Sequence, residues 1–169
     1  DALIPGAFKC DFWRYAYLYI NGGVYMDIDM VPMVPLNTLI DPTDEFVSVL
    51  DRKIPIIPQC GIWQSFLAVK PKHPALLYAL QMSFFNISTR RQDVVEDCLS
   101  ITGPIIMGIA MNLYLQNPNT FQKFEEGLHN GIKLYPRGSH YCYNFKGEKI
   151  FKTAFEGYKS DYSPFVQYY

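Results

Sequence analysis

Residues 8–20 contain neither Gly nor Pro, and the run stops at Asn21-Gly22-Gly23. That is the signature of a helix and its stop signal. From Gly23 to Met30 the period changes to two: Val24, Met26, Ile28 and Met30 fall on one face of a predicted strand, and Tyr25, Asp27 and Asp29 on the other. A helix that turns on two glycines into an apolar strand points to a layered α/β arrangement. It also sets two carboxylates side by side, about 6–7 Å apart on an extended strand. At an effective dielectric near 20 their repulsion costs roughly 2–3 kcal/mol. Either an Arg or Lys from elsewhere neutralises the pair, or a divalent cation does, since a strand end with two hard oxygen ligands suits one. The triplet alone is weak evidence, because ten Asp in 169 residues give about 0.6 such triplets by chance.

Pro32 and Pro35 close the strand. Further strands are predicted at 46–50, 62–69 and 132–135. Helices are predicted from His73-Pro74 to 85, at 93–99, and at 105–115 after Thr102-Gly103-Pro104. In that last helix Thr102 can cap and Pro104 can sit in the first turn. The expected organisation is one domain over 1–169, with 49 % hydrophobic and 18 % charged residues as in folded globular chains. A net charge of −1 provides no field for nucleic acid or an anionic membrane. No apolar run reaches the ~18 residues of a membrane span. Cys10, Cys60, Cys98 and Cys142 lack the C-x-x-C spacing of zinc sites and read as buried free thiols.

Two chemistries compete for Asp27 and Asp29. Asp-x-Asp-x-Val after an apolar strand also fits a haloacid-dehalogenase-type phosphatase, with the first Asp as nucleophile and the second as general acid/base. That mechanism needs a later acidic pair for magnesium, and Asp93 and Asp97 are the nearest candidates, without the usual Gly.

Upstream, Asp11 and Arg14 share a helical face as i and i+3. The whole run, Asp11-Phe12-Trp13-Arg14, Gly22-Gly23, Tyr25 and Asp27-Ile28-Asp29, resembles the sugar-binding region containing the DXD motif of glycosyltransferase family 32. Large bacterial glucosylating toxins carry a similar arrangement. The resemblance implies a GT-A-like α/β fold, with a mixed sheet and helices on both faces. It implies a metal-dependent, retaining transfer of a hexose from a UDP- or GDP-sugar to a glycan or glycolipid acceptor, with Mn2+ or Mg2+ as cofactor. Asp11 and Arg14 then match donor-sugar contacts, with Arg14 also near the phosphate. Asp27 matches the contact to ribose and sugar that reaches the metal through water, and Asp29 the direct metal ligand. Gln64 stands where the family has an Asn facing the sugar, Thr102-Gly103-Pro104 matches a family turn, and Asp161 stands where a late His or acid completes the metal site.

Family members carry an N-terminal nucleotide-base-binding portion before the Asp-x-x-Arg helix, and only a few residues precede that helix here. A non-catalytic carbohydrate-binding domain is therefore a third reading. Asn86-Ile87-Ser88 is a glycosylation sequon of consequence only in the secretory pathway. A membrane-anchored eukaryotic enzyme of this type would work in the Golgi lumen, and an unanchored one in the cytoplasm.

Overall fold

The computed structural model describes residues 3–4, 6–51, 60–89, 98–153 and 167–168. In chain order these form β1 (Leu3–Ile4), α1 (Gly6–Asn21), β2 (Gly23–Met26), β3 (Met30–Pro32), a 3-10 turn (Leu36–Thr38), β4 (Phe46–Leu50), β5 (Ile62–Val69) and α2 (Pro74–Ser88). Then follow α3 (Cys98–Ile101), α4 (Pro104–Tyr114), β6 (Gly127–His129), β7 (Ile132–Tyr135), β8 (Tyr141–Tyr143), β9 (Lys149–Thr153) and β10 (Gln167–Tyr168). The helix stop is built as predicted. Gly22 donates to the Leu18 carbonyl at 2.8 Å, and Gly22 and Gly23 take φ of +64° and +103°. A Cβ on Gly22 would lie 2.6 Å from Pro71 Cδ, so the chain reverses under α1 only because the residue has no side chain.

The central sheet has the order β2-β5-β4-β7-β6. Strand β5 runs antiparallel to both β2 and β4, and β4 is parallel to β7. The carboxyl ends of β2, β4 and β7 therefore share one edge with the start of β5. The β4–β5 register slips, with Ser48 opposite Leu67 but Val49 opposite Trp63. The buried Ser48 hydroxyl holds the resulting bulge, lying 2.8 Å from the Trp63 carbonyl and 2.9 Å from that of Phe66. Bulges bend a strand and re-aim its side chains; this one carries Gln64 and Ser65.

Two expectations change in detail. The predicted strand at 23–30 ends at Met26, and Asp27 to Asp29 form a turn before β3. Helices do not cover both faces among the described residues. The buried side chains of α1, α2 and α4 pack together on one face with Phe46, Ile62, Leu67 and Ile132. The other face, with Val47, Val49, Trp63 and Phe66, meets Cys142, Ile150 and Phe151 of a three-stranded sheet, β3-β9-β8. Most of the predicted 93–99 helix lies outside the described residues.

Helix α4 sits tightly on the chain before β5, where a Cβ on Gly108 would fall 1.9 Å from the Cys60 carbonyl oxygen. Its N-cap is Gly103, not Thr102, with Pro104 at the first position. Cys60 and Cys142 are buried free thiols as expected, whereas Cys10 is an exposed one. Asn86 is buried and donates its amide nitrogen to the Ile101 carbonyl at 3.1 Å, so the sequon nitrogen is occupied in the folded chain. No helix among the described residues is long and apolar enough to cross a membrane.

His73 caps α2 by accepting from the Ala75 amide at 3.3 Å, and its ring lies between those of Phe46 and Tyr114. Burial pushes its imidazole down from the usual 6.5 to about 4. The unfolded chain then binds the proton more readily, so His73 costs stability as pH falls from about 6.5 to about 4, by at most roughly 1.4 kcal/mol per pH unit. Urea titrations across this window should show a steeper loss for the native chain than for His73→Asn, which keeps a capping acceptor but does not titrate. Equal slopes would contradict the assignment.

Candidate functional site

Arg14 is the hub. Helix α1 places it one turn from Asp11, and both are buried, at 7 % and 8 % exposure, so this is not the surface pair that i,i+3 spacing alone suggests. Arg14 Nη1 donates to the Gln64 backbone carbonyl at 2.9 Å. Its Nη2 lies 3.4 Å from Asp11 Oδ1 and 3.6 Å from Asp27 Oδ1. The guanidinium carbon also stands 4.5 Å from the centre of the Tyr25 ring. One planar cation thus answers two carboxylates, a carbonyl and a π face, which is how a buried charge is made tolerable.

Asp11 is held from its other side. Thr102 Oγ1 donates to Asp11 Oδ2 at 2.8 Å. Burial pushes the Asp11 carboxyl up to about 7, against the opposing pull of Arg14 and Thr102. The Thr102 carbonyl is itself pinned, accepting from Tyr15 Oη at 2.8 Å and from Gln64 Nε2 at 2.9 Å. The Thr102-Gly103-Pro104 turn is therefore more than a helix start, since it closes the wall behind Asp11 and Arg14.

The Asp27 amide adds one more sheet bond, to the Ser65 carbonyl at 2.8 Å, and the Asp27 carbonyl then accepts from Met30 at 3.1 Å. The two aspartates thus flank the corner of a tight turn whose middle residue, Ile28, is fully exposed, instead of lying on one strand face. Tyr25 Oη donates to Asp27 Oδ1 at 2.6 Å. Burial and that bond push the Tyr25 phenol well above its ordinary range, so it stays a donor. Half-buried Asp29 makes no hydrogen bond or ion pair among the described residues.

These residues fit a divalent cation in part. Among the described residues Asp29 is uncommitted, and Asp27 has its Oδ1 fixed by Tyr25 and Arg14. No group of three His, Cys, Asp or Glu converges among the described residues. Two carboxylates would suffice for Mg2+ or Mn2+ when diphosphate oxygens and water fill the remaining positions.

Of the residues singled out from sequence, Asp11, Arg14, Asp27 and Gln64 meet in one cluster with Asp29 beside it. Gln64 faces inward, committing its amide to Thr102, and what it offers Arg14 is its carbonyl. Asp161, like Asp93 and Asp97, lies outside the described residues. Sequence reasoning missed Ser48 and the hydroxyl of Tyr25, though Tyr25 shares the predicted strand face with Asp27 and could have been found there.

Residues 2–46 match the family described as "Glycosyltransferase sugar-binding region containing DXD motif". The segment that builds Arg14, Asp11 and the Asp27–Asp29 turn is thus the part of the chain that is similar to a glycosyltransferase sugar-binding region. The structure is similar to that of the "PaToxG Glycosyltransferase", with a TM-score of 0.52 and 20 % identity over 68 % of this chain. The chain spans about a third of that structure's length, 37 %. No curated protein matches. The fold is GT-A-like, with a mixed five-stranded sheet. The phosphatase alternative gains no support from the sheet: among the described residues β2 is an edge strand with an antiparallel neighbour.

If Thr102 holds Asp11 through its hydroxyl, Thr102→Val should lower stability by about 1–3 kcal/mol by leaving a buried carboxyl oxygen unpaired, and Thr102→Ser should recover most of it. Denaturant unfolding of both variants checks this, and equal losses would assign the effect to packing.

Proposed function

We propose that this chain is the catalytic core of a metal-dependent, retaining hexosyltransferase that takes a UDP- or GDP-sugar as donor and a glycan or glycolipid as acceptor. The observation that carries the reading is the pairing of an anchored Asp27 with an Asp29 uncommitted among the described residues, at the carboxyl edge of the sheet, where α/β folds bind ligands. Asp29 would hold Mn2+ or Mg2+ directly, with Asp27 in support. The cation supplies charge neutralisation for the departing diphosphate.

The chain's own groups orient the donor. The Asp11 carboxyl and the Arg14 guanidinium present an acceptor and fixed donors to a polyol and keep their directions because Thr102, Gln64 and Tyr25 hold them. Arg14 also sets a positive charge beside Asp27, near where the phosphate charge develops. A nucleoside diphosphate with its charge neutralised would leave readily and its phosphate oxygen would take the acceptor's proton, so no protein base is assigned.

Calorimetric titration with UDP- and GDP-hexoses, with and without manganese, tests the reading. Manganese-dependent binding of at least one donor is expected. Asp29→Asn should weaken it at least tenfold while changing stability by no more than about 0.5 kcal/mol. A folded chain that binds no donor with manganese, but binds free sugars, would instead be a carbohydrate-binding module. Severe unfolding of Asp29→Asn would make the carboxylate structural.

A further inference from the structure

A concavity opens on the same sheet edge, two and three strands from the Asp27–Asp29 turn. It has a volume of about 490 Å³ and lies where β4 and β7 end, with Asp51, Gly61, Lys123, Phe124, Glu126 and Arg137 among its walls. Its framework is tied down. The Asp51 amide donates to the Gly61 carbonyl at 2.9 Å, and the Gly138 amide to that of Tyr141 at 2.8 Å. Arg137 Nη1 meets Asp51 Oδ1 at 2.5 Å, and its guanidinium carbon stacks 3.7 Å from the centre of the Trp63 ring. A guanidinium–carboxylate pair fixed on an aromatic face is a rigid, well-aimed set of donors and acceptors. Exposed Lys123, which pairs with Glu125 at 3.0 Å, and exposed Glu126 bring one charge of each sign to the lining, while Leu50 and the largely buried Phe124 line its apolar side.

We propose that this concavity binds the acceptor as a terminal hexose, its hydroxyls bonded by the Asp51–Arg137 pair and by Lys123 and Glu126, its C–H face on Phe124. The chemistry is that of a neutral polyol: mixed charges with no net field, a fixed planar fork, and one apolar wall. The volume holds one or two sugar rings, and the lower end of the range for small-molecule sites is about 300 Å³. Position argues the same way. Adjacent strands lie about 4.8 Å apart, which sets the end of β4 roughly 10 Å from the end of β2. Between them stand the β5 bulge and Gln64, whose carbonyl holds Arg14. A donor hexose over that bulge would meet an acceptor hydroxyl presented from the β4 side.

The assignment as an acceptor site rests on the transferase reading, and the test separates the two. Saturation-transfer NMR with methyl gluco-, galacto- and mannopyranosides, run without donor, is compared for the native chain, Lys123→Ala, Glu126→Gln and Arg137→Lys. Binding of at least one hexoside is expected, weakened about tenfold by Arg137→Lys, the size of one charge-assisted bond, and severalfold by the exposed variants. Manganese-dependent donor binding should stay within twofold in Lys123→Ala and Glu126→Gln, which cannot fail by unfolding the core. No hexoside binding by a chain that still binds donor, or binding indifferent to all three substitutions, overturns the proposal and leaves the transferase reading standing. Hexoside binding that the substitutions weaken, in a chain that binds no donor, upholds the sugar site and removes its acceptor role.

Discussion

The buried guanidinium of Arg14 is the interaction on which the rest of the site depends. It bonds the β5 carbonyl of Gln64, faces Asp11 on its own helix, and reaches Asp27 at the end of β2. Three elements distant in sequence are thereby locked around one charge. An arginine with so little water around it is stable only while its partners remain, since removing one leaves a buried charge uncompensated. The hydrogen bonds from Tyr15, Gln64 and Thr102 follow from that requirement: each fixes a group that fixes Arg14 or Asp11.

The sheet supplies the second constraint. Because β5 runs against β2 and β4, its first residues interleave with their carboxyl ends, and the bulge held by Ser48 turns Gln64 and Ser65 toward Arg14 and Asp27. Helix α4 presses on the same entry to β5 at Gly108. Packing on the helical face thus sets the position of the strand that receives Arg14, and the link from core to site is short.

Much of this was legible in the residues. The helix, the double-glycine reversal and the Asp11–Arg14 face follow from periodicity and from the absence of Gly and Pro, and positive φ at Gly22 and Gly23 bears them out. The limits are physical too. Strict alternation through Ile28 predicted an extended strand, but a backbone bond from Met30 to Asp27 closes a turn, as Asp residues favour, and Ile28 goes to solvent. Thr102 lies 91 residues from Asp11 and Ser48 lies 15 from Trp63, so no local pattern announces their bonds. The second sheet, covering a face assigned to helices, depends on pairing Met30–Pro32 with Phe151–Thr153 at the far end of the described core sequence, and short strands of that kind carry little periodic signal.

The proposed chemistry needs Asp29 free to hold a cation while Arg14 keeps Asp11 and Asp27 in place. Crystals grown with manganese and a nucleoside diphosphate, measured at the manganese absorption edge, test it most directly. One anomalous peak is expected against the Asp29 carboxylate, shared with diphosphate oxygens, with Arg14 still bonded to the Gln64 carbonyl. A peak away from the Asp27–Asp29 turn, or an Arg14 swung out of its contacts to reach the ligand, would contradict it.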